Sequence, residues 1–267
     1  MPAINPAVTQ WIGQMGDRDQ VVAYFAYHSL EEEVFKVSRP GQTAAQAALA
    51  KVLGEALTAE AKPGAGTPGS ASFRNNAFLT AAAQQMPEPL HPVRVRTGLA
   101  RLLGYLSNET AVPFLARALG DLDARETARQ ALEGNPSERA TDALIAALDS
   151  PGPDFCAGVI HSLAKRNRAK AAAALRKAAR DPQAEIRIAA LQGLANIPEP
   201  AHDGIIAEAT LAASPNERRT AHVARARLAA NLQSAGNGPA AERIYRAILA
   251  ADSPEPQKKA ARLALRL

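Results

Sequence analysis

Ile186-Arg-Ile-Ala-Ala-Leu-Gln-Gly-Leu194 decides the fold of this 267-residue chain, because three other stretches repeat its pattern. They are Val95-Arg-Thr-Gly-Leu-Ala-Arg-Leu-Leu103, Glu126-Thr-Ala-Arg-Gln-Ala-Leu132 and Cys156-Ala-Gly-Val-Ile-His-Ser-Leu163. Their final leucines are separated by 29, 31 and 31 residues, and a weaker continuation reaches Leu228 and Leu263 at 34 and 35. A second set precedes three of these: Ala111-Val-Pro-Phe-Leu-Ala-Arg-Ala-Leu119, Ala140-Thr-Asp-Ala-Leu-Ile-Ala-Ala-Leu148 and Ala171-Ala-Ala-Ala-Leu-Arg-Lys-Ala-Ala179. Each repeat is therefore a helix pair, with helices of about 12–15 residues expected. Ile186, Ala190, Leu191, Leu194 and Ile197 make one stripe at helical spacing, and no convincing alternating run occurs. A pair this short cannot bury its apolar face alone, so neighbours must stack. The expected fold is all-α, a right-handed α-solenoid of about six or seven helix pairs.

The boundaries carry their own chemistry. Ser214-Pro-Asn-Glu217 has the form of a capping box with proline at the first helical position. Asp181-Pro182, Ser150-Pro151, Asn135-Pro136 and Ser253-Pro254 repeat the polar-cap-then-proline signal. Composition agrees: 61 residues are alanine and only 4% are aromatic, which favours closely packed helices over β-sandwiches. The single cysteine, Cys156, excludes an internal disulfide and a multi-cysteine zinc site. No apolar run is long enough to span a membrane, and the opening residues lack the pattern of a secretory leader, so the cytoplasm is the expected location.

Upstream, Asp17 to Val37 and Thr43 to Ala61 read as helices. Residues 1–62 are expected to form an N-terminal helical cap, 63–72 a flexible linker, and 73–267 a repeat array continuous with the cap. Trp11, Tyr24, Phe25, Tyr27 and Phe35 are five of the chain's eleven aromatics. The favoured reading has them closing the open end of the solenoid; the other makes them an aromatic binding groove.

Asp181-Pro-Gln-Ala-Glu-Ile-Arg-Ile-Ala-Ala-Leu-Gln-Gly-Leu-Ala resembles the second helix of a HEAT repeat, with its turn aspartate and following arginine. Asn108-Glu-Thr-Ala-Val-Pro-Phe-Leu-Ala-Arg-Ala-Leu resembles the first helix. The resemblance is to bacterial HEAT-repeat proteins of the PBS lyase HEAT-like kind, and it covers 91–197 well and 198–267 loosely. It implies a fold more than a task, since this repeat serves many. The Asp/Arg pattern is degraded, because Asp149 has no arginine at the corresponding place after Cys156. Ala224 to Leu249 resembles a tetratricopeptide helix–turn–helix, with Gly236 and Gly238 in the turn and Tyr245 on the apolar face.

Candidate chemistry is sparse. His28, His91, His161, His202 and His222 form no metal-ligand spacing, and no metal or cofactor is implied. Cys156 has no local base, and Glu31-Glu32-Glu33 points around its helix rather than converging. Charge is more informative. The net +5 divides into 6 Lys/Arg against 8 Asp/Glu in residues 1–90 and 25 against 18 thereafter. Lys165, Arg166, Arg168, Lys170, Arg176, Lys177 and Arg180 run without an intervening acid, and Arg218, Arg219, Arg225 and Arg227 form a second cluster. On successive second helices, Lys165, Arg166, Arg187, Arg218, Arg219, Arg225 and Arg227 would line one concave basic strip. The expected function is a non-catalytic scaffold binding an acidic or extended protein segment there. The alternative is sequence-independent nucleic-acid binding through the same strip, although stacking aromatics are missing from it.

Overall fold

The computed structural model describes residues 4–60, 91–149 and 152–267. The linker expected at 63–72 and the Ser150-Pro151 cap lie outside the described residues. Among the described residues there are fourteen α-helices and no strand. The chain divides into two compact units, Met1–Ser137 and Glu138–Leu267.

The first unit holds α1 (Val8–Gln14), α2 (Gln20–Val37), α3 (Thr43–Leu57), α4 (Val93–Leu106), α5 (Val112–Ala118) and α6 (Arg125–Gly134). Helix α4 packs on α2, α3 and α6. Asp19 caps α2 by accepting from the Val21 amide at 2.8 Å, which sets the helix start at Gln20. The inner face of α2 then carries Ala26, Leu30, Val34 and Val37, spaced three and four apart and buried.

The second unit holds α7 (Glu138–Ala146), α8 (Pro153–Arg166), α9 (Ala172–Ala178), α10 (Ala184–Asn196), α11 (His202–Ala209), α12 (Pro215–Ser234), α13 (Gly238–Ala250) and α14 (Glu255–Leu265). Helix α10 packs on both α8 and α12, making a layer of second helices, while α9 and α11 each pack on the second helix of their own pair. Small residues permit the close approach. A Cβ at Gly193 would stand 3.1 Å from Leu175 and 3.3 Å from Ala164. At Gly236 the chain turns with φ +84°, where glycine costs nothing sterically, and Asn237 caps α13.

The repeat leucines Leu103, Leu132, Leu163, Leu194 and Leu228 are all fully buried. Leu263, the weakest member of the series, is instead 71% exposed, because α14 buries Ala261 and turns this residue outward. The first helices are also shorter than expected: α5 and α9 have 7 residues each and α7 has 9. Each is extended by a single 3₁₀ turn, at Glu109–Ala111, Ala169–Ala171 and Ala147–Asp149. The Asn108 side chain, accepting from the Ala111 amide at 3.0 Å, stabilises the first of these turns.

Candidate binding surfaces

The arginines expected on a basic strip are mostly spent inside the second unit. Arg187 gives Nε and Nη2 to the two carboxylate oxygens of Glu217, both at 2.7 Å, and Nη1 to the carbonyls of Asp181 and Pro182. Arg218 folds back in the same way onto the carbonyls of Ala212 and Ala213, at 2.7 and 2.8 Å. Arg225 of α12 bonds Asp203 of α11 at 2.7 and 3.2 Å, and Arg166 donates to the buried Thr141 hydroxyl at 3.1 Å. Lys165 is exposed at the end of α8. Arg219 and Arg227 are exposed with no hydrogen bond or ion pair among the described residues.

The longer cation run is divided too. Arg168 pairs with Glu138 and Lys170 with Asp142 across α7 and the turn before α9. Arg176, Lys177 and Arg180 border a shallow basin of about 610 Å³ with Ile205 of α11. Arg176 is oriented there by Glu199 at 3.3 Å and by the fully buried His202, whose Nε2 is also 3.3 Å away. His202 Nδ1 faces the carbonyls of Leu194 and Ile197, so that nitrogen carries the proton and donates. His202 is thus a satisfied structural group.

Two interhelical devices escaped the sequence reading. Glu217 does not complete a capping box: Ser214 accepts from its amide at 3.4 Å, but its carboxylate turns away to Arg187. In the first unit Arg96 plays a similar part, bonding Asp121 at 2.6 and 3.1 Å, Asp123 at 3.0 Å and the His91 carbonyl at 2.7 Å. Burial, helped by the Arg96 charge, holds His91 below the usual histidine range. The second device is a series of asparagine amides. Asn135 donates to the Asn108 carbonyl at 2.9 Å, Asn196 to Ala164 at 3.3 Å and Asn231 to Ala195 at 2.8 Å. Ala164 and Ala195 lie in the last turn of α8 and α10, where carbonyls lack a donor within the helix, whereas Asn108 lies just beyond α4 and also accepts from the Ala111 amide. Asn135, Asn196 and Asn231 are 61 and 35 residues apart, two repeats and then one, which was a visible signal.

The aromatics of the first unit do not all close an end. Trp11 and Tyr27 are half-buried, but Tyr24, Phe25 and Phe35 are 59%, 64% and 57% exposed. The reason is helical period: with Ala26, Leu30 and Val34 inward, positions 21, 24, 25, 28, 32 and 35 fall on the opposite face. Phe35 stacks on Tyr105 of α4, with ring centroids 5.9 Å apart, and Tyr24 and Phe25 meet edge to face at 5.6 Å. Beside Val21 and Phe25, a shallow cleft of about 260 Å³ opens between α1 and α2, lined also by Trp11, Val22 and Ala26 and by the polar Gln14 and Ser29.

Residues 141–229 match the family model for HEAT repeats. The helices between Thr141 and Ala229 of the second unit are accordingly of the HEAT-repeat kind, and every element among the described residues is helical. Among solved structures, a chain from the complex of CpcE and CpcF of phycocyanin lyase from Nostoc sp. PCC7120 is similar, at 19% identity and a TM-score of 0.44, covering 100% of this chain and 97% of that one. Human deoxyhypusine hydroxylase in complex with glycerol is similar at 18% identity and a TM-score of 0.35, covering 97% and 94%. A designed armadillo repeat protein follows at 17% identity and 0.31, covering 97% and 98%. Comparison with curated protein sequences gave no match.

Proposed function

We propose that this chain is a non-catalytic protein-interaction scaffold. The observation that carries the proposal is the solvent-facing stripe on α2, where Val21, Tyr24, Phe25 and Phe35 are each more than half exposed in a chain with only eleven aromatics. Several exposed aromatics on one helix face are characteristic of protein interfaces, whose energetics aromatic anchors dominate. The buried polar groups, by contrast, are engaged in holding helices together: Arg96 with Asp121, Arg187 with Glu217, and His202 with backbone carbonyls. Use of the second-helix arginines by an acidic segment would fall to Arg219 and Arg227, since Arg187, Arg218 and Arg225 are committed internally. The same commitment weighs against nucleic-acid binding through a continuous strip.

The test is capture of partners by the full chain after nuclease treatment, compared with a Tyr24→Ser/Phe25→Ser/Phe35→Ser variant. A defined protein that survives nuclease and is lost with the variant is expected. Micromolar binding to a labelled mixed-sequence duplex that collapses with salt, unaffected by the aromatic changes, would overturn the reading in favour of nucleic acid.

A further inference from the structure

Three consecutive carboxylates on α2 have different fates. Glu31 bonds His28 Nδ1 at 3.0 Å, and the 5%-exposed Glu33 accepts from the Asn5 amide at 3.2 Å and from Lys36 at 3.3 Å. Glu32, between them, is exposed and has no hydrogen bond or ion pair among the described residues. It sits four residues after His28 and three before Phe35, in the middle of the aromatic face, since residues three and four apart are neighbours on a helix. Lys36, the cation one turn on from Glu32, points to Glu33 instead.

A partner that covers Phe25 and Phe35 also removes water from Glu32. A carboxylate dehydrated without a counter-charge opposes binding strongly, so the partner must bring a cation to that position. At the other end of the face, the cleft beside Trp11, Val22 and Phe25 accepts an apolar side chain. Phe25 and Glu32 are seven residues apart, which is two helical turns and roughly 10 Å. A partner laid along α2 with the same rise therefore needs its two anchors at the same separation.

Resting on the scaffold reading above, we propose that the α2 face docks an amphipathic protein helix. That helix carries a large apolar residue for the α1/α2 cleft and, two turns away, a lysine or arginine that pairs with Glu32 among the rings of Phe35 and His28. The aromatic faces add cation–π attraction to the ion pair. This is the helix-in-groove mode, with selectivity set by one charge.

The experiment uses the full chain and three fluorescent synthetic helical peptides that share a tryptophan anchor. Seven residues beyond it they carry lysine, methionine or glutamate. Wild type is expected to bind the lysine peptide at least tenfold more tightly than the glutamate peptide. Glu32→Lys should reverse that order, and Glu32→Gln should bring the lysine and methionine peptides within about twofold of each other. Unchanged circular dichroism in both variants would show that folding is intact. Equal binding of all three peptides to wild type would overturn the charge requirement while leaving the scaffold reading standing. Binding of none at millimolar protein would overturn the helix-docking proposal, while the scaffold reading would still stand or fall on the capture experiment. Sedimentation showing a wild-type dimer that Phe25→Ser/Phe35→Ser makes monomeric would assign the face to a second copy and overturn the proposal.

Discussion

Arg187 of α10 and Glu217 of α12 face each other through two parallel 2.7 Å hydrogen bonds, thirty residues apart in sequence. The same guanidinium also holds the carbonyls of Asp181 and Pro182, so one side chain ties a loop, its own helix and the next repeat together. Glu217 is 4% exposed, and its four-atom match to the arginine fork is what lysine or glutamine cannot reproduce. Glu217→Gln is expected to lower stability by about 1.5–3 kcal/mol in urea unfolding, the range for hydrogen bonds to charged groups.

The pair also gives the second unit a defined acid response. Hydrogen bonding from Arg187 outweighs burial and holds the Glu217 carboxyl below its ordinary value of 4.5. A carboxyl depressed in the folded state contributes stability that is fully present above its unfolded value. That contribution is lost as pH falls through the lower folded value. Unfolding midpoints measured from pH 6 down to about pH 3 should therefore drop less steeply in Glu217→Gln than in wild type.

Arg96 is the corresponding staple of the first unit, 4% exposed and bonded to two aspartates. Arg96→Met should destabilise the protein by about 3 kcal/mol, near the low end for a broken buried pair because Asp121 and Asp123 retain partial hydration. Arg96→Lys should recover less than half of that loss, since three donors on one nitrogen cannot reproduce the paired Nε and Nη2 bonds to Asp121 together with those to Asp123 and the His91 carbonyl. Equilibrium urea unfolding of the two variants checks the order.

The asparagine series predicts small losses. Asn196→Ala leaves the Ala164 carbonyl without its side-chain donor, and Asn231→Ala does the same to Ala195. Each should cost about 1–2 kcal/mol. The double variant should depart from additivity by about 0.5 kcal/mol or more, because Asn231 bonds the carbonyl of Ala195, the residue next to Asn196.

Gly54 of α3 lies against the ring of Phe114 on α5, and a Cβ at Gly54 would overlap that ring. Gly54→Ala should therefore destabilise by about 1–3 kcal/mol despite alanine's better helix propensity. Combining it with Phe114→Leu should return part of the loss, which thermal melts of the single and double variants would reveal.

Helix pairing was legible in the chain because it rests on local period. The leucine spacing around Leu103, Leu132, Leu163 and Leu194 requires only that each helix bury one face. The HEAT-repeat likeness was likewise visible in residues 181–195, which lie within the match at 141–229. What could not be read was which charges remain available. Arg187 and Arg225 look like surface cations in the sequence, and only stacking brings Glu217 and Asp203 to within 2.7 Å of them. Glu217 itself looked like half of a local capping box, because a carboxylate three residues after a serine satisfies that pattern whether or not a distant arginine competes for it.

The α2 face shows the same division from the other side. Sequence alone determined that Tyr24, Phe25 and Phe35 lie on one helix, and that Glu31, Glu32 and Glu33 point in three directions around it. Tertiary packing decided that Leu30 and Val34 face the core, leaving the rings exposed and Glu32 with no hydrogen bond or ion pair among the described residues. Helical period is a property of neighbours in the chain. Which face is buried, and which charge is neutralised, depends on groups that folding brings from tens of residues away.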